Sequence, residues 1–174
     1  MFIFDLKRPL PARLIFQRCV QDLQLEMEDT FELRGDDGHV KISVGQVYGF
    51  PESTSYFGGY DTQSEIEIKC QSYSVKGILW TTTGELFDFY KRLEDCQKQL
   101  KGTCEFKTYE GHLQLKIEYN NVGQTRITGQ YRERPDLLTQ LTFEINGDQT
   151  YLQHSVSELR SIADKYGDNY GVRK

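Results

Sequence analysis

The chain has 174 residues, 37% of them apolar and 13% aromatic, including eleven Tyr and ten Phe. It carries 26 acidic against 21 basic side chains, a net charge of −5, with a mean hydropathy of −0.61. That much aromatic area argues against disorder, and the acidic balance argues against a general nucleic-acid binder, which needs clustered Lys and Arg.

Residues 1–26 form a separate N-terminal extension to which the pattern assigns no firm structure. Asp5, Lys7, Arg8, Pro9 and Pro11 interrupt its apolar stretches, so it does not read as a signal peptide. No window reaches the ~18 apolar residues of a membrane helix, and a soluble, cytoplasmic protein is expected. A single domain is expected over 27–168, followed by a polar, flexible tail over 169–174.

From Thr30 the chain alternates. Phe31 and Leu33 lead into Gly35-Asp36-Asp37-Gly38, and Val40, Ile42 and Val44 resume the period, which predicts a β-hairpin. A third strand is expected to run on towards Tyr48, and residues 50–61 then read as a loop rich in aromatic and turn residues. Ile66, Ile68 and Cys70 share one strand face, but the apolar set beyond Ser72 (Tyr73, Val75, Leu79) is out of phase with it. A bulge or tight hairpin near Ser72 explains the shift.

Thr82 to Gly102 is the clearest helix. Thr82 and Glu85 have capping-box spacing. Leu86, Phe89, Tyr90, Leu93, Cys96 and Leu100 fall within a sector of roughly 120°. Glu94 and Lys98 are an i,i+4 pair, and Gly102 is the expected stop. Lys91, Arg92, Glu94, Asp95 and Lys98 are expected on its solvent face. Beyond it, Cys104 and Phe106, then Leu113 to Tyr119, then Ile127 and Tyr131, then Leu141 to Ile145 read as four strands with short turns. Thr150 and Gln153 repeat the capping-box spacing before a last stripe of Leu152, Val156, Leu159, Ile162, Ala163 and Tyr166, closed by Gly167. The expected fold is α+β: an antiparallel β-sheet of about seven to eight strands, a meander, with one central and one C-terminal helix packed on it.

Chemistry is sparse. The four cysteines form no CxxC and the three histidines no metal-spaced pair. The cysteines read as free thiols. His39, His112 and His154 read as ordinary turn, strand or helix residues. No nucleophile elbow or phosphate loop is present, and neither a catalytic residue, a metal nor a cofactor is expected. Glu65 and Glu67 share a strand face beside Lys69, which reads as a solvated face. The segment from Phe50 to Glu67 has the make-up of a protein-binding surface, aromatic and acidic together. Glu52, Tyr56, Phe57, Tyr60, Asp61, Glu65 and Glu67 are its candidate partner-binding residues, and their charge favours a basic partner.

The runs FELRGDDGHVKISVGQVYGFPE, GGYDTQSEIEIKC, TTTGELFDFYKRLEDCQKQLKGTCEFKTYEGHLQLKIEY and FEINGDQTYLQHSVSELRSIADKYG resemble the WapI-type immunity proteins, small cytosolic antidotes to wall-associated polymorphic toxins. The likeness spans roughly residues 28–167. It implies a non-enzymatic protein that binds and blocks the toxin domain of its own cell's effector, often an RNA-cleaving nuclease. It brings no catalytic residues with it. From the residues alone, a protein-binding module of a regulatory or phage assembly is the alternative. An enzyme acting through Glu65 and Glu67 ranks third.

Overall fold

A computed structural model describes residues 29–120 and 122–172. The expectations for 1–26 lie outside the described residues. The elements run β1 (Asp29–Arg34), β2 (Gly38–Val47), β3 (Asp61–Cys70), β4 (Tyr73–Thr82), α1 (Thr83–Gln99), β5 (Gly102–Lys107), β6 (Leu113–Tyr119), β7 (Gln124–Tyr131), β8 (Leu141–Asp148) and α2 (Gln149–Tyr166). The α+β class and the two helices match the expectation. The strands do not form one sheet, however. They divide into two antiparallel meanders, β1-β2-β3-β4 and β5-β6-β7-β8. The long helix between β4 and β5 removes the short turn that would keep them paired.

The phase shift near Ser72 is a hairpin. Cys70 pairs with Tyr73 across a two-residue turn in which Gln71 has φ 54°. Ile68 then faces Val75, and Ser64 faces Leu79, so the inward face continues on the returning strand. The β1–β2 hairpin closes with the Gly35 N–H donating to the Gly38 carbonyl at 2.9 Å.

One hydrophobic core joins the inner faces of both sheets with both helices. Phe89 of α1 lies 6.2 Å from Phe31 of β1 and 4.9 Å from Phe106 of β5, ring centre to ring centre. The helix thereby bridges the two sheets. Leu86, Phe89, Tyr90 and Leu93 of its stripe are buried, whereas Leu100 is 45% exposed. The capping box forms as predicted. Thr82 Oγ1 accepts from the Glu85 N–H, and Glu85 Oε2 accepts from the Thr82 N–H. The helix ends earlier than expected, with Leu100 at φ 52° in the left-handed region. Gly102, at φ 103°, instead opens β5.

The second helix starts two residues before the position expected. Its N-cap is Asp148, whose side chain accepts from the Thr150 N–H at 2.8 Å. That bond holds the Asp148 carboxyl below its usual range. The strand β8 runs directly into the helix, so its last residue becomes the cap. Gly167, at φ 79°, closes the helix as predicted.

Glu94 is a correction. It was expected on the solvent face of α1, yet it is only 7% exposed. Its carboxylate accepts from Arg160 of α2 at 2.6 Å, from Tyr90 Oη at 2.9 Å and from Lys98 at 2.9 Å. The i,i+4 partner anticipated from sequence is present, but the pair is part of a clasp between the two helices. The polar tail expected after Gly167 folds into a turn closed by an Asp168–Gly171 bridge, and Asn169 joins it to Gly59 and to Asp88.

A candidate partner-binding surface

The loop between β2 and β3 is held at its base by backbone contacts. The Tyr60 N–H donates to Thr83 Oγ1 and the Thr83 N–H donates to the Tyr60 carbonyl, both at 2.9 Å. This seats the loop against the N-terminus of α1. Gly59, at φ 64°, makes the approach possible: a Cβ there would lie 2.2 Å from the Gly84 nitrogen. Higher up, Ser55 Oγ donates to Asp61 Oδ1 at 2.8 Å and accepts from the Phe57 N–H at 3.3 Å. Asp61 therefore shapes the loop.

The loop presents aromatic side chains outward. Tyr56 is 96% exposed and Phe57 56%. Tyr56 meets the Phe57 ring edge-on at 5.4 Å, and Phe57 stacks on Tyr109 from the β5–β6 turn at 4.6 Å. Burial pushes the Tyr109 hydroxyl up to about 12, and the negative charges of Asp61, Glu110 and Glu85 push in the same direction. Those three carboxylates therefore lie within electrostatic reach of Tyr109. Glu85 is itself held above the usual carboxylate range by burial, against hydrogen bonds from Thr81, Thr82 and Tyr109. Glu110 is exposed, as is Glu52 on the β2–β3 loop.

The seven residues singled out from sequence divide into three sets. Tyr56, Phe57 and Asp61 come together at this tip, with Glu52 on the loop. Tyr60 is buried at 1% exposure; its hydroxyl donates to the Pro51 carbonyl, so it is a foundation beneath the loop. Glu65 and Glu67 lie four and six residues beyond Asp61 along β3, about 13–20 Å away at strand rise. They point to the outer face of the first sheet. There Glu67 bonds Lys76 at 2.9 Å, which lowers its pKa, and lies 3.9 Å from His39. The solvated-face reading fits them. Tyr109, Glu110 and Glu85 were missed. They lie 25 to 50 residues from the loop in sequence, and neither the β5–β6 turn nor the helix cap carries a local signal of that proximity.

Other groups are already occupied. A hollow of about 620 Å³ between the β6–β7 turn and the start of α2 is lined by Asp36, Glu118 and Asp148 among others. Glu118 bonds Lys116, Asp36 accepts from Tyr151, and Asp148 caps the helix. His112 Nδ1 lies 3.0 Å from the Arg132 carbonyl, and His154 lies 3.1 Å from Glu158. Among the described residues no group of three or more His, Cys, Asp or Glu is placed to hold a metal ion. Cys70, Cys96 and Cys104 are free thiols, and burial pushes Cys104 up to about 12. No described helix is long and apolar enough to cross a membrane.

The model of the immunity protein WapI-like family matches residues 31–167, which runs from β1 to the end of α2. The chain belongs to the WapI-like immunity protein family. No curated protein matches it. Both sheets, both helices and the aromatic tip fall inside the span the family covers.

Proposed function

We propose that this WapI-like chain is a non-enzymatic immunity protein that acts in the cytoplasm by binding and neutralising a cognate toxin domain. The observation that carries the reading is the aromatic tip of Tyr56, Phe57 and Tyr109, with carboxylates acting on Tyr109, on a chain of an immunity family. Exposed aromatic side chains beside charged groups supply anchoring area with little entropy to lose. Negative charge around them steers a basic partner and opposes an acidic one. A toxin that cleaves nucleic acid has a basic surface for phosphates, and an acidic tip fits that surface.

Co-expression with the toxin gene expected beside this one tests the proposal. Cells survive and the two proteins co-elute if the reading holds. Continued killing with no complex on a sizing column overturns it.

A further inference from the structure

The turn at 168–172 is hydrogen-bonded to the aromatic loop and to α1, and it lies just beyond the residues the family model matches. The Gly59 N–H donates to the Asn169 carbonyl at 2.8 Å. The Asn169 side chain donates to Asp88 Oδ1 of α1 at 2.9 Å. The Val172 N–H donates to Tyr60 Oη at 3.2 Å, and the same hydroxyl donates to the Pro51 carbonyl. Gly171, at φ 78°, lies against the Tyr60 ring, where a Cβ would come within 2.4 Å of the hydroxyl. The turn is closed on itself by Gly171 N–H to the Asp168 carbonyl and by Tyr170 N–H to Asp168 Oδ1.

The bonds of Asn169 and Val172 join the turn to the loop and to the helix that seats the loop. The loop's own bonds, Ser55 to Gly59 and Ser55 to Asp61, set its curvature but not its position on the body. We infer that Asn169 and its turn are the positioning strut of the partner-binding loop, holding Tyr56 and Phe57 against Tyr109 before a partner arrives. The inference rests on the proposed binding role for its purpose. Its geometric content stands apart: without the strut the loop keeps its base at Tyr60 and Thr83 but loses the hold on Gly59, while the two-sheet body stays folded. Fixing a binding loop in advance removes an ordering cost from association.

The test uses the full chain with three variants, Asn169→Asp, Asp88→Asn and the two combined, together with Gly171→Ala. Asn169→Asp sets two carboxylates against each other. The double variant again sets an amide donor against a carboxylate. Amide hydrogen exchange is read at Gly59 and Phe57 and, as reference, across β5–β8. The expected result is at least about tenfold faster exchange at Gly59 in Asn169→Asp and Gly171→Ala, unchanged protection in β5–β8, and recovery in the double variant. Unchanged exchange at Gly59, an equal loss of protection everywhere, or no recovery in the double variant overturns the inference. With the toxin domain that co-elutes with the wild type, Asn169→Asp is expected to bind about tenfold more weakly, and the double variant to recover. Full affinity despite a loosened loop also overturns it. If the wild-type chain binds no toxin, the immunity reading fails, and the exchange experiment still decides the strut.

Discussion

Glu94 shows how one carboxylate fixes the relation of two helices. Hydrogen bonds from Lys98, then Arg160, then Tyr90 outweigh its burial and push its pKa down to about 2. A folded-state pKa below the unfolded value means that its stabilisation is fully present above the ordinary Glu range, and is lost as pH falls through that range towards 2. Lys98 and Arg160 are themselves 64% and 55% exposed. Solvent therefore screens the cluster, and Glu94→Gln is expected to cost about 1–2 kcal/mol at pH 7. Urea unfolding of both proteins at pH 7 and pH 3 checks this. The gap between them narrows at the lower pH; a gap that widens would mean that the clasp is not what holds the charge. Tyr60 makes a related point. An aromatic side chain in an acidic loop reads as an exposed anchor, but its hydroxyl bonds show that it is the post on which the loop stands.

At the level of elements, the edges of the two sheets are each met by their own chain. On β1, the Glu32 N–H donates to Glu158 and its carbonyl accepts from Ser155, both on α2. On β5, Arg92 of α1 donates to the Glu105 carbonyl. On β8, Asp37 accepts from the Asn146 N–H and Cys70 Sγ donates to the Glu144 carbonyl. On β4, Tyr131 Oη donates to the Ile78 carbonyl. Two open sheets present four edges, and these contacts oppose edge-to-edge association. The helix α1 holds the sheets through its apolar stripe. Leu93 is 0% exposed, and burial of one such side chain contributes about 1.5–3 kcal/mol. A charge there loses that contribution and adds a desolvation cost, so Leu93→Asp is expected to abolish the cooperative thermal transition followed by circular dichroism. An unchanged melt would refute the packing. The end of the same helix is strained in the opposite sense. Leu100 adopts φ 52° while 45% exposed. Leu100→Gly is therefore expected to stabilise the protein, by up to about 1 kcal/mol, because glycine takes the left-handed conformation without cost from its side chain. A lower denaturation midpoint for that variant would show that the packing of Leu100 outweighs its backbone strain.

For the whole molecule, the body is a scaffold with the aromatic tip at one end of the second sheet. The β5–β6 turn that supplies Tyr109 and the β6–β7 turn stand at opposite ends of β6, so the tip and the polar hollow beside α2 do not share a surface. Tyr56 and Phe57 contribute mostly exposed area, so replacing both by Ala leaves the melting temperature within a few degrees. It is expected to weaken toxin binding by about 2 kcal/mol or more, the size of an anchor residue's loss. Calorimetry with the co-eluted toxin domain reads the effect. Unaltered affinity would move the interface elsewhere on the molecule. Affinity that falls steeply between low and high salt is the accompanying sign of a basic partner.

Local periodicity was enough for the type of the described strands and both helices, because a half-buried strand and a half-buried helix leave different apolar spacings, but it left open whether β3 and β4 were one bulged strand or a hairpin. It also showed the acidic, aromatic character of the loop. The helix ends were less legible: Thr82 and Gly167 matched their roles, whereas Leu100 and Asp148 took places assigned to Gly102 and Thr150. Caps depend on where the neighbouring strand starts or stops. The sequence by itself determined the α+β class, the order of elements and the family. Only the tertiary structure decided that the strands form two sheets, that Glu94 is an internal clasp, that Tyr60 is buried, and that Tyr109, Glu85 and Glu110 complete the tip. Each of those facts is a contact between residues far apart along the chain, and a spacing rule within one element carries no information about which distant element lies across from it.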